Sequence, residues 1–261
     1  MIREITSAAN PFVKHLRALG TSKKTRQESG EFIIEGWRGI DTLLKHEPRQ
    51  YQLETLVVSE EWKSDPRLPN AIDTVALPAP LFEKVSDVRN AQGILGIVRR
   101  FPAPFKFDPD AGHYLLLDNI RDPGNLGTLI RSAVGAGFAG ILLYGDCVEP
   151  FNPKTVRSTM GTLAFTQLWN VSDAGLDRMA ETGYALCATT GLGGQNLYET
   201  AFPEKTVLVV GSEAHGVSDK LMQRATLKIT IPLETECESL NAAVAGSICM
   251  FQIKCGAHRT A

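Results

Sequence analysis

The sequence predicts an α/β protein whose larger, C-terminal part is a parallel sheet covered by helices on both faces. Three observations carry this. After residue 113, short apolar runs alternate with segments of helical period. Those runs, such as YLLLD and TVLVVG, are apolar nearly throughout, as strands buried on both faces are. A proline-rich stretch without period, RRFPAPFKFDPDAGH at 99–113, separates them from a smaller mixed segment in front. The expected organisation is a small α/β domain over 1–100, a linker over 101–112 and a second domain over 113–261.

In chain order, Pro11 can open a helix that runs through Leu19. WRGIDTLLKH carries apolar residues at helical spacing, and TLVVS, TVAL and ILGIVRR have the look of short strands. Beyond the linker the strands YLLLD, GILLYG, YALCAT, TVLVVG and LKITIPL alternate with helices expected over 125–136, 152–160, 174–182, 215–224 and 239–254. Ligands of such sheets bind at the carboxyl ends of the strands. The loops after YLLLD, TVLVV and LKITI are therefore the place to look.

Composition narrows the class. Of 261 residues, 43% are hydrophobic and 21% charged, which is ordinary for a globular protein. No apolar run approaches the ~20 residues that span a bilayer, and MIREITSAANPF has no apolar signal core. Five cysteines without CxxC spacing suit reduced thiols, so a cytoplasmic protein is expected. The net charge of −2 is unevenly spread: residues 1–26 hold six basic side chains against one acid (+5), the remainder 21 against 28 (−7). A basic end on an acidic body suits contact with an anionic polymer, although a solvated surface helix accounts for it equally well. The sequence holds no GxxxxGK[ST], no GxGxxG after a strand, no GxSxG and no HExxH.

At the first strand end, DPGNLGTLIRSAVGAG places Arg131 on a helix face with Thr128, Ser132 and Gly135, four residues after Gly127. Helical side chains lean toward the N-terminus, so Arg131 is expected to lie back over Gly127 toward Asn125. A guanidinium beside free helix N–H groups suits a phosphate or a developing oxyanion; the alternative is a surface arginine paired with an acid. At the second, Gly211 and Gly216 flank GSEAHG, where glycine permits close backbone approach and Glu213 can accept hydrogen bonds. At the third, Ser239 is expected to cap a helix whose first turn holds Asn241, a poor helix former that needs a reason to be there.

In this order the three motifs are similar to those of the SpoU (TrmH-type) family of RNA ribose 2′-O-methyltransferases. The first is Asn125, Gly127, Arg131; the second Gly211, Ser212, Glu213, Gly216; the third Ile231, Pro232 followed by Ser239, Leu240, Asn241. The runs ITSAANPFVKHLRAL and GEFIIEGWRGIDTLL resemble the family's substrate domain, a small α/β RNA-binding fold. Thr159, Ala214, Thr235 and Ala243 depart from the usual Ser, Gly, Gly and Ser. The resemblance implies a trefoil-knotted methyltransferase domain, a rare exception to unknotted topology, and a homodimer. It implies S-adenosylmethionine as cofactor, lined by Gly211, Gly216, Ile231, Leu233 and Leu240. It also implies structured RNA (rRNA or tRNA) as substrate and a site made of Arg131, Asn125, Glu213, Ser239 and Asn241. Lys14, Arg17, Lys23, Lys24 and Arg26 are the expected RNA contacts. No metal is expected. The alternative is a non-catalytic RNA-binding protein that keeps the fold.

Overall fold

The structure, a computed structural model, describes residues 2–257; residues 258–261, the end of the expected second domain, lie outside the described residues. The chain divides into two compact units, Met1–Ala103 with Glu149–Phe165, and Pro104–Val148 with Thr166–Ala261.

The first unit is built from β1 (Ile2–Glu4), α1 (Pro11–Thr21), α2 (Lys23–Ser29), β2 (Glu31–Glu35), α3 (Trp37–His46), β3 (Tyr51–Val58), β4 (Asp73–Ala76), α4 (Ala79–Phe82) and β5 (Ile94–Arg100). Its five strands form one mixed sheet in the order β1-β4-β3-β5-β2. Local chemistry starts its helices. Asn10 caps α1 through its side chain, with Pro11 at the first helical position, and Ser22 caps α2. Val13, Leu16 and Leu19 share one stripe of α1 and are fully buried against the sheet residues Ile33, Val57 and Leu95.

The second unit contains β6 (His113–Asp118), α5 (Pro123–Ala136), β7 (Gly140–Tyr144), β8 (Leu168–Asn170), α7 (Asp173–Glu181), β9 (Ala185–Thr189), β10 (Gln195–Asn196), β11 (Thr206–Gly211), α8 (Asp219–Arg224), β12 (Leu227–Thr230) and α9 (Ala242–Ala257). All seven strands are parallel, in the order β10-β12-β9-β11-β6-β7-β8. The expected parallel sheet is thus present, and β11 is buried at every position. Leu115, Leu117, Leu208 and Val210 face α5 and α9; Leu116, Val207 and Val209 pack with Leu176, Met179 and Leu221 of α7 and α8.

One segment departs from the linear domain plan. Residues 149–165, with α6 (Pro153–Ser158), belong to the first unit although they lie between β7 and β8 in sequence. Two side chains explain the attachment. Phe151 packs on Phe32 and Tyr51 at centroid distances of 5.0 and 6.0 Å. Glu149 receives the Arg26 guanidinium, with Nη2 at 2.6 Å. No local pattern in the sequence reports such a long-range pairing.

Candidate functional site

Because the second sheet is parallel, its strands deliver their loops to one edge. Asp118 stands opposite Gly211 in the register of β6 and β11, so the first two motif loops leave side by side. The first enters α5 at Pro123, two residues earlier than expected, because Asp122 is the cap: its side chain accepts the Asn125 amide at 2.8 Å. Asn125 therefore lies inside the first turn. The third loop reaches α9 at Ala242, and Ser239 is not its cap. Asn241 is: its Oδ1 accepts the amides of Ala243 and Val244 at 2.9 and 3.2 Å. Asn is disfavoured within a helix but among the best residues at its start, which resolves its placement.

Those bonds orient a chain of amides. With Asn241 Oδ1 held by α9, its Nδ2 donates to Asn125 Oδ1 at 3.0 Å. The Asn125 Nδ2 then faces Glu213 and donates to its Oε1. An amide whose oxygen is turned toward a donor presents its NH2 on the other side, so each link orients the next. Residues 88 and 116 positions apart are joined in this way.

Behind Glu213 the second loop closes on itself. Ser212 and Gly216 exchange backbone hydrogen bonds at 3.0 and 2.8 Å. A Cβ on Gly211 would come within 2.0–2.2 Å of the backbone of Gly216 and Val217, so only glycine allows the loop to fold back here. This closure also delays the next helix: α8 begins at Asp219, not at 215 as its period suggested. The fold-back borders a cavity of about 320 Å³. Gly211, Gly216, Ile231, Leu233 and Leu240 line it, with Glu213 and Ser239 at the same wall. Asn125 and Asn241 are tied to it through Glu213.

Arg131 is exposed on α5, and among the described residues it holds no hydrogen bond or ion pair. The small residues around it are not all open space. Ser132 Oγ lies 2.7 Å from Ser247 Oγ, Lys254 donates to the Gly135 carbonyl at 3.0 Å, and a Cβ on Gly135 would meet the Phe251 ring at 3.4 Å. Much of that face lets α5 and α9 approach closely, a packing reason the sequence reading overlooked.

Among the expected RNA contacts, Lys14, Arg17, Lys23 and Lys24 are exposed on α1 and α2. Arg26 is not: it is 2% exposed and forked on Glu149, and Nη1 donates to the Leu19 carbonyl at 2.7 Å. A guanidinium with its fork occupied by a buried carboxylate has no edge left for a phosphate. Sequence reasoning also missed Thr189, Thr190 and Gly191, which line the cavity. The glycines of TTGLGGQN, directly after a strand, were the available signal.

Comparison with known proteins gives these sites a context. The SpoU rRNA methylase family profile matches residues 112–251, more than half of the chain, and an MRM3-like substrate binding domain profile matches residues 10–96. The 23S rRNA (guanosine(2553)-2′-O)-methyltransferase RlmP of Bacillus subtilis is 30% identical over 254 residues, covering 97% of this chain and all of that one. The 23S rRNA (guanosine-2′-O-)-methyltransferase RlmB of Salmonella typhi is 26% identical, covering 84% and 96%. The crystal structure of an AdoMet-bound rRNA methyltransferase from Sinorhizobium meliloti superimposes with a TM-score of 0.84 at 31% identity, covering 97% of each chain. With its three strand-end motifs gathered at one edge of a parallel sheet and this match along its length, the chain belongs to the SpoU rRNA methylase family.

Proposed function

We propose that the protein transfers the methyl group of S-adenosylmethionine to a ribose 2′-hydroxyl of ribosomal RNA. The observation that carries this is the Glu213–Asn125–Asn241 chain, anchored through Glu213 at a cavity lined by glycine backbone, aliphatic side chains and polar side chains. The cavity fits the cofactor in size class. Ile231, Leu233 and Leu240 offer apolar surface to an adenine, and the Gly211–Gly216 fold-back offers peptide groups without side chains in front of them. Bound there, S-adenosylmethionine supplies an electrophilic methyl carbon on a sulfonium.

The chain's own residues align and stabilise. A guanidinium stays protonated at any ordinary pH, so Arg131 is no base. It stabilises the alkoxide that develops as the hydroxyl loses its proton and grips the neighbouring phosphate. Asn125, held by Glu213 and Asn241, and Ser239 orient the hydroxyl. Holding the reacting atoms in line supplies ~7–11 kcal/mol. Lys14, Arg17, Lys23 and Lys24 give the first unit a cationic surface for RNA.

Three further parts belong to this reading. The apolar side chains Val244 and Phe251, 47% and 45% exposed and seven residues apart on α9, support a homodimer across that helix. A trefoil knot is supported by the strap between β9 and β10. Thr189 and Gln195 both pair with Ile229, so residues 190–194 cross over β12, and the chain continues past them. Five free cysteines, and no helix among the described residues long and apolar enough to cross a membrane, favour the cytoplasm.

Radiolabelled methyl transfer to unmodified rRNA, followed by nucleoside analysis, tests the proposal; a 2′-O-methylated nucleoside is expected. Label on a base overturns the ribose assignment. RNA binding without transfer moves the protein to the non-catalytic alternative. Arg131→Ala should lower turnover by about 10²–10³ while stability moves by less than about 0.5 kcal/mol. Arg131→Lys should rescue poorly, since a point charge does not reproduce the planar fork.

A further inference from the structure

The first unit carries an aromatic cluster that the reaction does not use. Trp37 opens α3 and Trp62 lies in the turn after β3; their ring centroids are 5.6 Å apart with planes inclined at 32°. The Arg67 guanidinium lies 5.0 Å from the first ring centre and 4.5 Å from the second. Both indoles are half-buried and Arg67 is exposed. Asp65 accepts from Arg67 Nε and Nη2 at 2.8 and 2.7 Å. The polar edge of the guanidinium is thereby occupied and its flat faces are left for stacking.

Gln92 fixes the cluster from beneath. Its Oε1 accepts the Trp37 backbone N–H at 3.0 Å and its carbonyl accepts Trp62 Nε1 at 2.7 Å. Gln92 also lines a cavity of about 170 Å³, together with Gly36, Arg38, Asn90, Arg157 and Met160. Arg38 is exposed, and among the described residues its side chain has no hydrogen bond or ion pair. Gly36 supplies no capping side chain to α3. Met160 holds φ at 53°, a conformation non-glycine residues adopt only where the surroundings enforce it.

We propose that this face docks one unpaired nucleotide of the RNA substrate: the base extends the Arg67–Trp stack, Asn90 and Gln92 address its edge, and Arg38 meets its phosphate. The proposal rests on the RNA reading above and adds a site separate from the lysine-rich face of α1 and α2. The chemistry favours RNA over a protein partner. Tryptophan and guanidinium planes stacked together match the π-face that every base presents, and unpaired bases are what proteins read in RNA. The cavity beside the stack has an apolar floor of Ile34, Val88, Val156 and Met160, against which a base can pack, with the amides of Asn90 and Gln92 and the unpaired Arg38 among its lining residues.

The two surfaces differ in salt response, which supplies the test. The full chain is titrated with a labelled single-stranded oligoribonucleotide of mixed sequence and with a duplex RNA of equal length, over a series of KCl concentrations. Tryptophan emission is followed in parallel, and S-adenosylmethionine affinity is measured by calorimetry. Single-stranded RNA should quench the emission. Trp37→Ala and Trp62→Ala should each weaken its binding about tenfold, with the salt slope and the cofactor affinity unchanged. Trp37→Phe should restore most of the loss, and Arg38→Ala should lower the salt slope by about one. Folded alanine variants with wild-type affinity for the single strand overturn the proposal, and so does an equal loss for the duplex. If the alanine variants fail to fold, absence of quenching in the wild type overturns it. Tryptophan variants that weaken binding to ribosomal particles but not to naked RNA assign the face to a protein instead. A wild type that binds cofactor but no RNA overturns the RNA reading together with this one.

Discussion

Asn241 does two jobs with one amide, and the two can be separated. Its oxygen caps α9 and its nitrogen orients Asn125. Serine caps as well as asparagine but is too short to reach Asn125. Asn241→Ala is expected to lower stability by ~1 kcal/mol and to lose turnover; Asn241→Ser should keep stability and lose turnover nearly as far. Melting temperatures beside steady-state rates decide, and a fully active serine variant would leave only the cap. The cysteines allow a second residue-level expectation. Burial pushes the Cys187 thiol, which also lies near Cys249, up to about 12, and burial pushes Cys249 up to about 12 as well. Cys237 and Cys255 are exposed. Only the thiolate reacts, so a thiol reagent at pH 8 should label Cys237 and Cys255 quickly. Cys147, raised by burial, should react more slowly, and Cys187 and Cys249 only on unfolding.

At the level of elements, the segment bearing α6 completes the first unit from a distance. Arg26 and Glu149 have side chains only 3% and 8% exposed. Removing one partner strands a buried charge, at ~3–5 kcal/mol, whereas replacing both with apolar residues is often neutral. Arg26→Ala or Glu149→Ala should therefore destabilise the protein strongly, and Arg26→Met with Glu149→Leu should recover most of the loss in denaturant titration. Residues 1–103 alone leave Arg26 without its acid and should not unfold cooperatively. Neutralising Lys14, Arg17, Lys23 and Lys24 should instead flatten the salt dependence of RNA binding without altering stability.

Across the whole second unit, the strap of residues 190–194 over β12 brings Thr190 and Gly191 to the cavity wall. A Cβ on Gly194 would come within 2.6 Å of Thr230 Oγ1 and 2.8 Å of the Ile229 carbonyl carbon, both in β12 or at its end. Gly191 has open space around a Cβ and no positive φ. Gly194→Ala should lower the melting temperature and weaken S-adenosylmethionine binding together, while Gly191→Ala, a few residues along the same strap, should leave stability nearly unchanged. A stable, cofactor-binding Gly194→Ala protein would show that the strap does not hold the cavity wall.

The sequence alone was enough for the fold class, for five of the seven strands of the parallel sheet and for the three loops that meet at its edge; the short edge strands β8 and β10, three and two residues long, are too brief to show a period. Apolar period and glycine placement are local properties, and a parallel sheet sends all its carboxyl ends to one side. It also made Asn241 legible as a residue in need of a reason and Glu213 as a possible acceptor, while Asn125 stood out through the resemblance. Only the tertiary structure decided what each of them does. The start of α9 at Ala242 made Asn241 a cap, and the fold-back at Gly211 held α8 off until Asp219. The pairing of Arg26 with Glu149, 123 residues away, turned an apparent RNA contact into a buried ion pair. Such outcomes depend on which distant group occupies a donor or acceptor first, and no local pattern records that.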